Sequence, residues 1–450
     1  MGRDHLLVIG GVAAGLAAAM QARRARADLD ITVLEKTSDI SYGACGLPYV
    51  VSGLIASLDQ LVIHTPDYFT ARHGINVELH SEAMEVRPAK STVVVRRDDG
   101  AESEIGYTSL VIATGAAAVC PPLPGHGLAG VFVLRHLHDG RRLLRFIEER
   151  RPRAAVVAGA GYIGLEMAEA LATRGLKVTV IESSENVMST LGGALRDRVV
   201  EEMRGRGIDF VFEEKVAGFE SDGGGNVSRA VTERGRAVEA QLVSIGVGVR
   251  PESGLARAAG IETGASGAIA VDAAQRTNYA NVYAAGDCGE VLNIVSGRRV
   301  WFPLGQPAVR QGWVAGANAA SGVGAEERYA GVVGTNAVKV FDLELGRTGL
   351  SLNEAQAAGF DATETESEAW SRAGYYPGGA KILTRIVQDR RGRLLGAQMV
   401  GREGVAQRIN VFVAALHAGL RAEEVNRFDL AYAPPFAPTI DPILKATKKQ

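Results

Sequence analysis

The chain has 450 residues and a formal net charge of −2, and 46% of its residues are hydrophobic and 22% are charged. At about 100–200 residues per domain, this length predicts several domains. The near-neutral charge argues against a general binder of nucleic acids or anionic membranes. No apolar run approaches the about 18 residues that a membrane span needs. The first residues lack the basic and apolar regions of a signal peptide, so we expect a cytoplasmic location.

The first predicted unit is a strand, a glycine-containing turn and a helix. A buried apolar run ends at Gly10, and an alanine-rich helix pattern over 16–26 follows it. A second apolar strand then ends in the acid Glu35. Val12 stands where a GxGxxG fingerprint has its middle glycine, so this turn alone fits an ordinary strand–helix junction as well as a nucleotide site.

The stretch Cys45-Gly-Leu-Pro-Tyr follows the Glu35 strand. Pro48 suits the first turn of a helix, because its missing N–H would be unpaired there in any case. We therefore expect Cys45 just before a helix N-terminus, whose dipole would lower the pKa of the thiol below its usual value of about 8.5. Cys120 and Cys288 form no CxxC motif with it, and we expect both to be ordinary residues without a redox role.

The second predicted unit has the same order and a complete fingerprint. Gly159 suits the tight turn, Gly161 lets a pyrophosphate approach the backbone, and Gly164 packs the helix on the strand. The next strand ends at Glu182, where a carboxylate accepts from a ribose 2′-OH and repels the 2′-phosphate of NADPH. Because no cation follows in Ser183-Ser184, the sequence favours NADH over NADPH.

Two further strands end in small or acidic residues. One reaches the turn Thr114-Gly115, and the other delivers Gly286-Asp287. Ligands of α/β sheets gather at such carboxyl ends. The last part of the chain differs, because it alternates short strands with one long helix and then has a proline-rich tail that cannot be helical. The predicted strands are 336–341, 381–387 and 395–400, and the predicted helix is 407–418.

These motifs, in this order, resemble the pyridine nucleotide-disulfide oxidoreductases. The resemblance covers nearly the whole chain and implies an α/β fold with two Rossmann-like nucleotide-binding domains and a C-terminal α+β dimerisation domain. It implies a split FAD-binding domain over 1–120 and 254–324, an NAD(P)H-binding domain over 121–253 and a dimerisation domain over 325–450. The active form is expected to be a homodimer.

The resemblance also implies the cofactors and the residues around them. FAD is expected at the first unit, with Glu35 on the adenosine ribose and Asp287 on the ribityl chain or pyrophosphate, and NAD(P)H at the second. In the family, the Tyr162 position lies over the flavin and the Glu166 position lies near the nicotinamide and flavin. No metal site is expected. The residues expected to bind the cofactors are Gly10, Val12, Ala13, Gly15, Glu35, Lys36, Thr114, Gly115, Gly286 and Asp287 for FAD, and Gly159, Gly161, Tyr162, Ile163, Gly164 and Glu182 for the nicotinamide nucleotide.

The sulfur centre is similar to the single-cysteine branch of the family. Relatives with a CxxxxC pair have their second cysteine where this chain has Val50. A lone Cys45 can cycle as a mixed disulfide, a persulfide or a sulfenic acid. The motif Cys-Gly-Leu-Pro-Tyr resembles that of the CoA-disulfide reductases. Ala13 stands where the oxygen- and peroxide-reducing members have a histidine.

These features favour an NADH-dependent reductase of a small disulfide or persulfide that works through Cys45. One alternative is an NADH oxidase or peroxidase that cycles Cys45 as a sulfenate. Another is an electron-transfer flavoprotein similar to ferredoxin reductases, in which Cys45 is inert.

Two tyrosine segments near the C-terminus look like active-site segments of the CoA-disulfide reductases. They contain Tyr375 and Tyr432, and the resemblance implies that the second reaches the cysteine of the neighbouring subunit. A tyrosine O–H near a leaving thiolate can hydrogen-bond or protonate it. The alternative is a purely structural role, in which both tyrosines only pack in the dimer interface.

The CoA-binding residues of that group are only partly present. Arg23 and Arg24 on the first helix match its arginines, but His73 falls where the group has a lysine. Val309 and Trp313 replace an asparagine and an arginine. Charge-assisted contacts contribute roughly 1.5–3 kcal/mol each, so the loss of these side chains would weaken the binding of CoA. The substrate is therefore either CoA-based or a different disulfide or persulfide.

Overall fold

The structure is a computed structural model that describes residues 4–321 and 327–448. The predicted boundary between residues 324 and 325 lies outside these residues. The first part of the chain alternates strands and helices as the sequence predicts. From residue 4 to residue 150 the elements are β1 (His5–Ile9), α1 (Ala13–Ala25), β2 (Asp30–Leu34), α2 (Leu47–Ser52), α3 (Pro66–His73), β3 (Asn76–Glu78), β4 (Ser81–Arg87), β5 (Thr92–Arg97), β6 (Glu102–Gly106), β7 (Ser109–Ile112), β8 (Ala116–Ala118), β9 (Val131–Val133) and α4 (Leu137–Arg150).

The middle of the chain repeats this alternation, and the last part is a sheet with helices at its end. From 151 to 321 the elements are β10 (Ala154–Ala158), α5 (Tyr162–Thr173), β11 (Lys177–Ile181), α6 (Gly193–Gly205), β12 (Asp209–Val211), β13 (Val216–Ser221), β14 (Val227–Thr232), β15 (Ala237–Glu239), β16 (Leu242–Ile245), β17 (Val249–Pro251), α7 (Gly254–Ala258), β18 (Val282–Ala284), β19 (Val291–Asn293), β20 (Arg298–Val300) and α8 (Gly305–Ser321). From 327 to 448 they are β21 (Asn336–Val340), β22 (Leu343–Gly349), α9 (Leu352–Ala357), β23 (Ala362–Trp370), β24 (Lys381–Asp389), β25 (Leu394–Gly401), α10 (Val405–His417), α11 (Ala422–Val425) and α12 (Pro442–Thr447).

Two five-stranded parallel sheets form the nucleotide-binding part of the fold. The first has the order β18-β7-β1-β2-β3, and the second has the order β12-β11-β10-β16-β9. The central strands are continuous apolar runs because both faces are buried. β18 joins the first sheet although the whole second sheet lies between β7 and β18 in sequence.

Helices α1 and α8 cross at very short distance on the first sheet. A Cβ added at Gly316 would lie 2.1 Å from the Ala18 carbonyl oxygen, and one at Gly312 would lie 2.3 Å from that of Ala14. Glycine at these two positions therefore permits the close approach of the two backbones. The crossing fixes α1, and with it the glycine turn, against the sheet.

The last part of the chain forms a five-stranded antiparallel sheet. Its order is β21-β22-β25-β24-β23, and α10 packs against β22 and β25. A core that includes Ile386, Met399 and Phe412 fills the space between the sheet and its helices. The predicted α+β character of this region and its predicted strands and long helix are confirmed.

Candidate active site

Four residues predicted to bind cofactor lie along one edge of the first sheet. Gly10 follows β1, Glu35 follows β2, Thr114 follows the β7 strand, and Asp287 follows β18. Neighbouring parallel strands end at the same edge, so the order β18-β7-β1-β2 brings these residues into one row. This edge is where ligands of open α/β sheets bind.

The turn after β1 leaves no room for side chains at its glycines. Gly10 has φ +110°, and a Cβ there would lie 2.2 Å from the Ala113 carbonyl oxygen. A Cβ at Gly15 would lie 1.9 Å from the Gly10 carbonyl oxygen. Val12 caps α1 and Ala13 is exposed in its first turn. The free amides of this 13-residue helix thus fit the pyrophosphate of a dinucleotide.

Glu35 is buried and holds its own glycine turn in place. Its carboxylate accepts hydrogen bonds from the Gly11 amide at 2.9 Å and from the amide and hydroxyl of Thr37, each at 2.8 Å. An ionised carboxylate has about four acceptor sites, which leaves capacity for a ribose hydroxyl. Lys36 beside it is exposed.

The second unit is built in the same way. Glu182 accepts from the Ala160 amide at 2.7 Å and from the Ser184 amide at 2.8 Å. A Cβ at Gly164 would lie 2.0 Å from the Gly159 carbonyl oxygen. Apart from Gly161 and its two chain neighbours, no residue has an atom within 4 Å of a Cβ built at Gly161, so the space before α5 is open for a phosphate. Ile163, in the first turn of α5, is 40% exposed.

Cys45 lies on a short 3-10 turn over Ala44–Gly46 that leads into α2, with Pro48 in the first turn of the helix. Its predicted position before a helix is therefore confirmed, and its thiol is open to solvent on one side. The expectation of a lowered thiol pKa is wrong. Burial of its other side, and then the carboxylate of Glu166, raise the pKa of Cys45.

Glu166 lies beside Cys45 because α2 packs along α5. Burial raises the pKa of the Glu166 carboxyl to about 7, and the hydroxyl of Tyr49 opposes this rise by hydrogen bonding to the charged form. The Arg174 side chain donates to the Val51 carbonyl and ties the end of α5 to α2. A carboxyl group that titrates near neutral pH can hold a proton and give it to a nearby sulfur.

Tyr162 connects the second unit to the last domain. Its hydroxyl donates to Oδ1 of Asn336 at 2.7 Å, so the first residue of α5 contacts β21. Burial raises the pKa of this phenol. The side chain thus lies between α5 and the C-terminal sheet.

The sequence did not reveal a group of polar residues that pack around the ligand-binding edge of the first sheet. The Arg135 guanidinium donates to Asp287 at 2.6 Å and to the Ala116 carbonyl at 3.0 Å. The Tyr42 hydroxyl lies 3.0 Å from Nδ1 of His136. The only local signal was that Arg135 and His136 follow strand β9, at the carboxyl end of the second sheet. Their partners are too distant in sequence to be foreseen.

The two predicted tyrosines lie together. The hydroxyl oxygens of Tyr375 and Tyr432 are 3.4 Å apart, and their side chains are 77% and 49% exposed. The hydrogen bond between them raises the pKa of Tyr375. The amide of Ala373 donates to the Pro434 carbonyl at 3.2 Å, so the two segments are also joined through their backbones.

The predicted substrate arginines have different surroundings. Arg23 donates to the carbonyl oxygens of Ala27 and Gly74, so its guanidinium is used to hold the end of α3. Arg24 is exposed in the last turn of α1. His73 packs its ring edge against Tyr68. Arg24 is thus the more exposed of the two arginines.

In the segments 4–321 and 327–448, no helix has both the length and the apolar character needed to cross a membrane. The same residues contain no group of three or more His, Cys, Asp or Glu side chains that could hold a metal ion.

The fold and the site together define an oxidoreductase with two dinucleotide-binding units and a C-terminal dimerisation domain. Residues 4–312 match the family described as pyridine nucleotide-disulphide oxidoreductase, and residues 335–442 match the dimerisation domain of that family. The chain belongs to the pyridine nucleotide-disulphide oxidoreductase family.

Several relatives are similar over nearly the whole of this chain. The chain is 38% identical to the "NAD(P)H sulfur oxidoreductase (CoA-dependent)" of Pyrococcus furiosus, over 99% of this chain and 98% of the relative. It is 35% identical to an "NADH oxidase" of Methanocaldococcus jannaschii, over 98% and 97%. The structure of an NAD-dependent persulfide reductase from A. fulgidus superposes with a TM-score of 0.94 at 37% identity, over 98% of this chain and 82% of that one.

Proposed function

We propose that the protein is a homodimeric, FAD-dependent NADH oxidoreductase that reduces a small disulfide or persulfide through Cys45. The observation that carries the proposal is the position of Cys45, an open thiol next to Glu166 at the junction of two dinucleotide-binding units. Relatives named as sulfur and persulfide reductases support the same chemistry.

The residues at the two sheet edges fit the expected cofactors. The first unit offers a helix N-terminus and the buried carboxylate of Glu35 to the adenosine half of FAD. The second offers Gly161 and Glu182 to NADH, and Glu182 disfavours a 2′-phosphate at the same place. When bound, FAD carries two electrons from NADH to sulfur. The split FAD-binding domain over 1–120 and 254–324 and the NADH-binding domain over 121–253 are part of this proposal.

The protein residues then handle sulfur and protons. Because the pKa of Cys45 is raised, its thiol gives up a proton as the sulfur attacks one sulfur of the disulfide. The Cys45–substrate S–S bond forms, the substrate S–S bond breaks, and the first thiol leaves with that proton. Two electrons then cleave the new bond, and with two protons they give the second thiol and the Cys45 thiol. In sum, NADH, one disulfide and one proton give NAD⁺ and two thiols. Glu166 is suited to hold the proton that a departing thiolate needs, because its pKa lies near 7.

In the homodimer, the pair Tyr375 and Tyr432 of one subunit serves Cys45 of the other. Both tyrosines are exposed on the dimerisation domain, where a partner subunit would cover them. Tyr432 would hydrogen-bond to the leaving thiolate.

The substrate carries either CoA or a different small thiol. The relative named CoA-dependent supports a CoA-based substrate. Trp313, 45% exposed, lies on α8 where the CoA-disulfide reductases have an arginine, and this difference supports a small thiol other than CoA.

The variant Cys45→Ser tests the proposal. It should retain FAD and the rapid reduction of the flavin by NADH, because neither needs the thiol, but it should lose NADH-dependent disulfide reduction. Cys120→Ser is the matched control, because Cys120 is also an exposed free thiol, and it should keep full activity. Disulfide turnover by the Cys45→Ser enzyme would refute the proposal.

One observation favours a second candidate, an NADH oxidase or peroxidase that uses a Cys45 sulfenate. A full-length relative has the name NADH oxidase. Against it, Ala13 offers no proton donor at the position where the oxygen-reducing members have histidine. Rapid NADH oxidation by oxygen or peroxide without a disulfide, lost in Cys45→Ser, would favour this candidate.

A further inference from the structure

A nearly buried arginine in the dimerisation domain contacts both tyrosine segments. We call residues 371–380 the tyrosine loop and residues 431–438 the proline tail. Arg408 lies in the first turn of α10, and its side chain is 11% exposed. Its Nη2 donates to the carbonyl of Ser371, the first residue of the tyrosine loop, at 2.9 Å. The same nitrogen donates to the carbonyl of Phe436 in the proline tail at 3.1 Å.

The other nitrogens of Arg408 fix the guanidinium itself. Nε donates to Oδ2 of Asp441 at 2.9 Å, and Nη1 donates to the Gly404 carbonyl at 3.2 Å. Asp441 caps α12 by accepting from the Ile443 amide at 2.9 Å. The planar fork of arginine donates in fixed directions. The guanidinium is therefore held by α10 and α12 while its outer edge binds the two tyrosine segments.

A second contact holds the tyrosine loop at its start, but it does not reach the proline tail. Glu403 accepts from the Ser371 hydroxyl and from Nε of Arg372, the latter at 2.7 Å. The Arg372 guanidinium lies 5.9 Å from the ring centre of Tyr376. Arg408 thus links both segments through one side chain, in addition to the backbone bond between Ala373 and Pro434.

We infer that Arg408 is the positioning residue for the Tyr375–Tyr432 hydroxyl pair, because it sets the distance between the tyrosine loop and the proline tail. This inference rests on the proposed role of the two tyrosines at the cysteine of the partner subunit. It predicts that Arg408 affects the disulfide-reducing half of the reaction and leaves the NADH half unchanged, although it touches no substrate.

The test is a mutant cycle on the FAD-loaded dimer with Arg408→Lys and the pair Tyr375→Phe and Tyr432→Phe. A lysine keeps the charge opposite Asp441, but one ammonium lacks the planar fork that serves four acceptors. Loss of the tyrosine hydroxyls should lower kcat for disulfide about 100-fold, as loss of a proton donor does. Arg408→Lys alone should lower kcat roughly tenfold or more by misplacement, with little change in KM for NADH or in flavin reduction by NADH.

The combined variant decides between positioning and general stabilisation. If Arg408 acts through the tyrosines, Arg408→Lys causes no further loss in the enzyme that already lacks both hydroxyls. An additive loss, or unchanged kcat in Arg408→Lys alone, would overturn the inference. Arg385→Lys is the control, because Arg385 is also nearly buried, with 15% exposure, and pairs with Glu364 and Glu366 within the C-terminal sheet. It should retain kcat.

The outcomes also separate this inference from the proposed function. If the enzyme without the tyrosine hydroxyls keeps full kcat while Cys45→Ser is inactive, sulfur chemistry at Cys45 stands, but the tyrosine role and the role of Arg408 both fail. If Arg408→Lys does not assemble as a dimer, the combination Arg408→Gln with Asp441→Asn leaves no unpaired charge and should show the same kcat loss. Full activity of that variant would overturn the inference.

Discussion

The substitution Glu166→Gln should stabilise the protein at alkaline pH and not at acidic pH. Burial raises the pKa of this carboxyl from its ordinary 4.5 to about 7 in the folded protein. Between these pH values the folded protein keeps a proton that the unfolded chain has lost, so stability falls as pH rises through this window. Each pKa unit corresponds to about 1.4 kcal/mol. The ionised carboxylate therefore costs the folded protein up to about 3 kcal/mol above pH 7.

Glutamine has nearly the same shape and never ionises, so Glu166→Gln removes this cost. The free energy of unfolding, measured with guanidinium chloride on the FAD-loaded dimer, should be nearly equal for both proteins at about pH 4 and higher for the variant by up to about 3 kcal/mol at about pH 8. Glu148→Gln, at an exposed position of α4, is the control and should give no pH-dependent difference. Equal stabilities of wild type and Glu166→Gln at about pH 8 would refute the reasoning.

Two other substitutions test the cofactor units. Gly316→Val should lower the free energy of unfolding by about 1–3 kcal/mol or more, because a Cβ there meets the Ala18 carbonyl at 2.1 Å. Thermal unfolding measures this, and an unchanged melting temperature would contradict the close helix crossing. Glu182→Gln should raise KM for NADH severalfold and narrow the preference for NADH over NADPH, since the ribose loses a charged acceptor. Steady-state kinetics with both nucleotides check it, and an unchanged ratio of kcat/KM values would count against the role of Glu182.

Strand ends were the part of the site that the sequence predicted best. Parallel strands that lead into a glycine turn or end in an acid must place those residues at one edge of the sheet, so the sequence alone could assign Gly10, Glu35 and Asp287 to a common row. The complete fingerprint around Gly161 is equally local. These predictions depend only on strand direction and on backbone geometry at glycine.

Long-range polar contacts could not be read from the sequence. Arg135 donates to Asp287, which is 152 positions away in the chain, and no local pattern marks the pair. Arg23 has the residue type expected of a phosphate ligand, yet two backbone carbonyls use its guanidinium. The thiol pKa of Cys45 was predicted with the wrong sign, because helix position is visible in the sequence while burial and the neighbouring carboxylate of Glu166 are not.

The substrate sulfur is expected to become bonded to Cys45 during turnover. The most direct measurement is mass spectrometry of the acid-quenched dimer after the enzyme, with Cys45 as the free thiol and no NADH present, meets one equivalent of disulfide. We expect a peptide containing Cys45 whose mass is increased by one substrate thiol, loss of this added mass when NADH is then supplied, and no such increase at Cys120. An unmodified Cys45 before NADH is added, in an enzyme that reduces the disulfide once NADH is present, would contradict the proposed mechanism.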